Sequence, residues 1–223
     1  MRPPRYQLLY GLFRWLFRRT VRGGLRGVWL RGTLPQGGAV LAANHHSWWD
    51  AYVLPVLLFG QPQGFGVVMG EARLSEFGFF RELGGISASR PRLALAALKR
   101  GETLLIFPEG ELRSPGGLGP LSEGAAWLAR KAGVPLVPVA IRVVLRGQEF
   151  PEAYLEVGPP LPPETERLSQ ALQEMLADLD RGLRTAPAEE PLPGFRPVLK
   201  GRLSTHERMA GWGAALRRLM GVR

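Results

Sequence analysis

Apolar positions along the chain follow two periods. Over residues 6–21, Leu8, Leu9, Leu12, Phe13 and Leu16 recur at helical spacing, with Trp15 and Phe17 at the flanks and Arg14, Arg18 and Arg19 opposite. The pattern predicts a basic amphipathic helix. Beyond a glycine-rich hinge at Gly23, Gly24 and Gly27, short apolar runs at 38–44, 66–69, 103–108, 136–144 and 153–158 read as strands. Between them lie helical patterns at Asp50–Leu57, Glu76–Leu83, Pro91–Arg100, Ser122–Ala132 and Glu164–Leu183. Pro91 opens one helix, and Gly133 closes another. Alternating strands and helices predict an α/β fold: a mostly parallel central sheet flanked by helices, with an N-terminal amphipathic helix. Residues 185–201 read as a proline-rich surface strap. A last, basic helix from about Thr205 to Met220 carries Trp212, Leu216 and Leu219 on or near one face. The expected organisation is a membrane-associating helix and hinge over 1–26 and one domain over 27–223, in which 184–223 form the strap and the basic C-terminal helix.

The chain has 223 residues, 45% of them hydrophobic and 22% charged. That is the size and balance of one globular domain with a sizeable core, and it excludes wholesale disorder. There is no cysteine, which removes disulfides, thiolate zinc sites and a cysteine nucleophile together. The longest uncharged stretch, Ala51 to Gly70, is broken by two prolines and four glycines, so no spanning helix is expected. Arginines interrupt the apolar run near the N-terminus and no small-residue cleavage site follows it, so a cytosolic protein is expected.

The net charge of +10 sits at the two ends. Residues 1–49 hold eight arginines and no acid, whereas the middle of the chain is slightly acidic. Basic ends suit a polyanion, either nucleic acid or an anionic membrane face. Here the arginines are interleaved with Leu, Phe and Trp at helical spacing. That favours a helix lying in a membrane interface with its arginines at the headgroups. A terminal helix packed on its own domain gives the same pattern, and the two are not exclusive.

Three segments carry candidate chemistry. Asn44-His45-His46-Ser47-Trp48-Trp49-Asp50 follows a strand directly, and Asn44 is the only asparagine in the chain. A turn over this spacing brings the Asp50 carboxylate against the His45 imidazole. One ring nitrogen is then fixed and the other left free to take a proton. A metal site or a structural hydrogen-bond cluster would use the same residues. Ile106 to Ser114 leaves another strand through Pro108 and Gly110, with Glu109, Glu111 and Arg113 as its charges, as a substrate-facing loop or a solvated turn would. Gly84 to Arg90 pairs glycines with hydroxyls and an arginine, which suits either a phosphate cradle or a tight turn.

Taken together and in this order, the segments resemble the glycerolipid acyltransferase family, which is typified by bacterial 1-acyl-glycerol-3-phosphate acyltransferase. Its first block, N-H-x-S-x-x-D, is matched at every fixed position by Asn44, His45, Ser47 and Asp50; His46 falls on a variable position. The second, G-x-x-F-I-x-R, is matched at Gly84 and Arg90, with Ser87 and Ala88 where Phe and Ile are usual. In the third, F-P-E-G-T-R-S, Phe107, Pro108, Glu109 and Gly110 fit, and the arginine arrives one residue late as Arg113. The fourth, V-P-V, is Val137-Pro138-Val139.

The resemblance implies a catalytic pair, His45 as general base and Asp50 as its orienting partner. It implies substrate contacts from Asn44, Ser47, Arg90, Phe107, Pro108, Glu109, Gly110, Arg113 and Pro138, with no metal and no cofactor. The implied reaction moves an acyl group from acyl-CoA or acyl-ACP to the hydroxyl of a lysophospholipid, most often 1-acyl-glycerol-3-phosphate. A glycolipid or another lipid alcohol is the alternative acceptor, admitted by the two departures in the second and third blocks. The expected partners are an anionic membrane surface, the acyl donor and the lipid acceptor, at the cytoplasmic face of the cell membrane, with no nucleic acid. A metal-dependent hydrolase built on His45, His46, Asp50 and Glu109, and a basic nucleic-acid-binding protein, are the distant alternatives.

Overall fold

A computed structural model describes residues 4–209 and 212 apart from 77 and 115, and for residues 4–6 the backbone alone. Eight strands form one sheet: β1 (Gly27–Arg31), β2 (Val40–Ala43), β3 (Phe65–Met69), β4 (Gly85–Ser87), β5 (Thr103–Ile106), β6 (Leu136–Val144), β7 (Glu152–Val157) and β8 (Arg196–Lys200). Their order is β4-β3-β5-β2-β6-β7-β1-β8. The first five in that order run parallel, β7 turns back antiparallel to β6, β1 is parallel to β7, and β8 is antiparallel to β1. The mostly parallel α/β sheet flanked by helices is therefore present.

Both faces of the centre are covered, which is why its strands read as unbroken apolar runs. In β2, Leu41 and Ala43 face one layer while Val40 and Ala42 face the other. The first layer holds α1 (Pro4–Gly24) and α2 (Asp50–Leu58); the second holds α4 (Pro91–Lys99), α5 (Gly124–Ala132) and α6 (Thr165–Thr185). The register of α6 is set by Leu168, Leu172, Leu176 and Leu179, a stripe at i, i+4, i+8 and i+11 that is buried throughout. Gly133 closes α5 in the left-handed conformation, as expected.

Several boundaries differ from the sequence reading, each for a packing reason. The expected hinge is the last turn of α1: Gly23 and Gly24 are helical, and a Cβ on Gly24 would lie 2.1 Å from the Trp49 ring. Gly24 is there for close approach. The helix expected at Glu76–Leu83 is displaced. A short α3 spans Glu71–Glu76, and a 3₁₀ turn at Gly78–Arg81 presents Phe79 and Phe80 to Phe13 and Phe17 of α1. The Gly84–Arg90 segment is more than a simple turn, since Gly85–Ser87 pair with β3 as an edge strand before the chain turns at 88–89. The proline-rich strap contains β8, whose Pro197 is tolerated because β8 is also an edge. Of the expected C-terminal helix, residues 205–209 are helical, and all the rest except 212 lies outside the described residues.

The β7 end of the sheet carries a buried ionic knot. Glu152, fully buried, accepts from Arg26 (2.9 Å), from Arg146 (3.0 Å) and from the Tyr154 hydroxyl (3.0 Å). Burial first, and then the Glu152 charge, push the Tyr154 phenol up to about 12. Removing the carboxylate leaves the buried Arg146 guanidinium without an acid, while Arg26 keeps Glu207 at 3.0 Å, so Glu152→Ala is expected to cost about 3–5 kcal/mol. At this chain length that is a melting-temperature loss on the order of 10 °C, read by calorimetry. A loss within one or two degrees would show that the knot contributes little.

Candidate active site

The parallel strands deliver their C-terminal ends to one side of the sheet, where open α/β sheets bind ligands. β2, the central strand, releases Asn44–Asp50 there. Its neighbour β5, in register through Ala42 and Ile106, releases Phe107–Ser114. The two expected segments therefore meet because their strands are adjacent.

The Asp50 carboxylate organises the first segment. Its Oδ2 accepts from the backbone N–H of His46 (2.8 Å) and Ser47 (2.9 Å) and lies 3.1 Å from His45 Nδ1. Asp50 is wholly buried and is also the first residue of α2, where the helix dipole favours an anion. A carboxylate on Nδ1 selects the tautomer that leaves Nε2 with its lone pair. The His45 ring stacks on Phe107, with centroids 4.3 Å apart and planes 24° apart, and its side chain stays one-fifth exposed. His45 thus has Nδ1 held by the carboxylate and Nε2 without a partner among the described residues.

The second segment grips the first by its backbone. Glu109 Oε1 accepts from the N–H of His45 (2.8 Å), its Oε2 accepts from the N–H of Gly119 (2.9 Å), and the Arg113 N–H donates to the His45 carbonyl (2.9 Å). Gly110, at φ +76°, makes the turn that returns the loop, its N–H donating to the Phe107 carbonyl. Glu109 is thus a clamp on His45, and both its oxygens are spent on protein.

Other expected contacts have internal tasks instead. Asn44 is buried, and its carboxamide closes both ways on Ile141 of β6: Oδ1 accepts the Ile141 N–H (2.7 Å) and Nδ2 donates to its carbonyl (3.2 Å). It ties the loop to the sheet. Ser47 Oγ accepts the Trp49 N–H at the entry to α2. Pro108 is buried, its carbonyl taken by the Ser122 N–H, and Pro138 is buried inside β6, its carbonyl taken by the Gly158 N–H. Arg90 is exposed at the start of α4, beyond edge strand β4, with β3 and β5 between that strand and β2. At sheet spacing that is about 14 Å along the crevice. Arg90 therefore does not join the His45 cluster. Glu71 stands nearer, held below the usual carboxylate range by the Ser87 hydroxyl first and by the charges of Arg81 and Arg90.

Two further residues brace the site, of which the sequence reading singled out His46 alone. His46 is a buried structural tie whose Nε2 accepts the Val143 N–H (3.2 Å). Burial first, with the charges of Arg142 and His45 adding, pushes its imidazole below the ordinary value against the pull of Asp50 and Asp180. Arg142 pairs with Asp180 of α6 (2.6 Å) and donates to the Gly116 carbonyl (2.9 Å), which fixes the far end of the Phe107–Gly119 loop. One arginine inside the apolar run LVPVAIRVV was the available signal. Among the described residues, no group of three or more His, Asp or Glu side chains is arranged to hold a metal ion.

Because His46 stays neutral in the fold where the unfolded chain takes up a proton, the unfolded state binds more protons as pH falls below about 6.5. Folding stability contributed by this residue is therefore complete above that pH and is lost as pH drops toward the depressed folded value. His46→Gln, which keeps an acceptor for Val143, should flatten the decline in melting temperature between pH 7.5 and 5.5. Parallel curves for variant and wild type would show that His46 does not titrate differently on folding.

The model of the family described as Acyltransferase matches residues 28–142, which hold both segments. The chain is 33% identical over 112 residues to the chloroplastic 1-acyl-sn-glycerol-3-phosphate acyltransferase of Brassica napus, covering 46% of this chain and 32% of that protein. It is 30% identical over 158 residues to the 1-acyl-sn-glycerol-3-phosphate acyltransferase of Pseudomonas aeruginosa, covering 62% of this chain and 56% of that one. The chain thus spans about a third and just over half of the length of these two relatives. The crystal structure of the 1-acyl-sn-glycerophosphate acyltransferase of Thermotoga maritima superposes with a TM-score of 0.62 at 20% identity, over 85% of this chain and 86% of that one, which is a likeness of fold. With a family match that spans more than half of the residues and both segments that meet at the end of β2, the chain belongs to the acyltransferase family.

Proposed function

We propose that the protein transfers an acyl group from a thioester, acyl-CoA or acyl-ACP, to the hydroxyl of a lysophospholipid, with 1-acyl-glycerol-3-phosphate the leading acceptor and phosphatidate the product. The observation that carries this is the His45–Asp50 pair: Nδ1 held by a buried carboxylate, Nε2 free, at the end of the central strand. His45 Nε2 removes the proton as the acceptor oxygen attacks the thioester carbonyl. Asp50 stabilises the imidazolium, and the same proton then passes to the departing thiolate. One ester bond forms, one thioester bond breaks, and no proton is left over. The N–H groups of His45, His46 and Ser47 are occupied by Glu109 and Asp50, so the oxyanion is stabilised by other donors. Arg113, tethered to the His45 carbonyl, is the cation for an acceptor phosphate, with Arg90 farther along the crevice.

Helix α1 supports delivery of that acceptor from an anionic membrane surface. Phe17 and Val21 are in the core, but Leu8 (78% exposed), Leu12, Trp15 (55%) and Leu16 are not. Beside them an open groove of about 540 Å³ is lined by Trp15, Arg18, Arg19, Arg22 and Gly23. None of these arginines makes an ion pair among the described residues, which fits a site for headgroup phosphates. No helix among the described residues is long and apolar enough to cross a membrane. The groove and the exposed leucines suit a helix lying in the interface.

The absence of cysteine makes the chemistry directly measurable, because a thiol-reactive dye sees only released CoA. With palmitoyl-CoA and lysophosphatidate, thiol release is expected to require the acceptor and to fall at least about 100-fold in His45→Ala. Release that needs His45 but no acceptor would make the protein a thioesterase. For the membrane, deleting residues 1–22 would strip Phe17 and Val21 from the core, so point variants are the cleaner probe. Replacing Arg18, Arg19 and Arg22 together by Gln should weaken co-sedimentation with anionic vesicles on the order of 100-fold. Unchanged sedimentation would remove α1 as the contact.

A further inference from the structure

Arg113 is not free in the folded protein. Its side chain lies across Gly119, so closely that a Cβ there would come within 2.4 Å of Nε and 2.7 Å of Cδ. Inside, Nε is buried without a hydrogen bond, 3.6 Å from a Glu109 oxygen that is already committed to the Gly119 N–H. Outside, Nη2 forms an ion pair with Glu111 Oε1 at 2.8 Å. The two carboxylates differ in kind. Glu109 is almost wholly buried and bonded to backbone at both oxygens, so it cannot leave. Glu111 is 66% exposed and has no other partner among the described residues, so it can. Its position follows from the extra residue in this loop, which moves the arginine on by one and sets an acid where the family pattern has a threonine.

We propose that Glu111 sets acceptor affinity: its carboxylate occupies the Arg113 guanidinium when no acceptor is bound, and an acceptor's anionic head must displace it. This rests on the reading of Arg113 as the phosphate-binding cation. An exposed carboxylate–guanidinium pair is weak enough to exchange, while a phosphate monoester carries nearly two charges and several acceptor oxygens for the same fork. A phosphodiester head carries one charge and gains little by the exchange. Displacing Glu111 costs every acceptor head the same, so only a head that gains much from the guanidinium fork, such as a dianionic monoester, binds well against it. Removing its charge strengthens binding of all of them by the same factor.

The test has a binding arm and a turnover arm, both on the full chain. In the first, inorganic phosphate is titrated while the amide resonances of Gly119 and Arg113, which bracket the guanidinium, are followed by NMR. Glu111→Gln is expected to bind about two- to five-fold more tightly than wild type, Glu111→Asp to stay near wild type, and Arg113→Gln to lose the site. In the second, Glu111→Gln is expected to lower KM for lysophosphatidate and KM for lysophosphatidylglycerol by the same factor, about two- to five-fold, with kcat unchanged. Phosphate binding that Arg113→Gln abolishes but Glu111→Gln leaves unchanged or weakens would overturn the proposal and leave the phosphate reading standing. Phosphate that moves neither amide in any variant would overturn both.

Discussion

The Asp50 carboxylate is the constraint on which the site depends. A wholly buried anion is costly unless donors surround it. Here the chain leaving β2 folds so that two successive backbone N–H groups and one imidazole reach the same oxygen. The turn after β2, the start of α2 and the orientation of His45 are therefore one event. The carboxylate that would polarise the imidazole is also what shapes the loop carrying it, so its loss would disturb geometry as well as charge.

A second carboxylate does similar work across the strand boundary. Glu109 places one oxygen on the His45 N–H and the other on the Gly119 N–H. It couples the loop after β5 to the loop after β2, and Arg142 couples that same loop to α6 through Gly116 and Asp180. The site thus rests on charged side chains bonded to main chain at several points rather than on apolar contact alone. This is how loops at the end of a sheet are held rigid without lengthening the strands.

Much of this was legible in the sequence where burial is two-sided or where chemistry needs a fixed spacing. β2, β5 and β6 are apolar on both faces and announce themselves, and the spacing of His45 and Asp50 implied the contact that is present. The misses are β1, the two edges β4 and β8, and long-range ties. These three strands carry Gly, Pro or Arg, so no period of two stands out in GVWLR, GIS or RPVLK. Gly24 read as a hinge because a glycine's lack of side chain looks the same whether it permits bending or admits the Trp49 ring. Asn44 drew attention as the sole asparagine. Its actual work, closing on Ile141, depends on a partner 97 residues away that no local pattern reveals.

The distribution of charge gains meaning once partners are known. Many arginines in the body of the fold are paired with acids: Arg26 and Arg146 with Glu152, Arg31 with Glu156 and Asp178, Arg142 with Asp180, Arg113 with Glu109 and Glu111. Arg18, Arg19 and Arg22, grouped on one side of α1, make no ion pair among the described residues. A folded domain gains no stability from uncompensated neighbouring cations, since like charges on one helix face repel. Their grouping beside exposed Leu12, Trp15 and Leu16 is therefore best explained by something outside the chain that supplies the anions, and a lipid surface supplies them together with an apolar phase for the leucines. On that reading the same helix that seals the core with Phe17 and Val21 also sets the height of the crevice above the bilayer. The acceptor's phosphate and its acyl chain would then be separated by the same boundary that separates the arginines from the leucines.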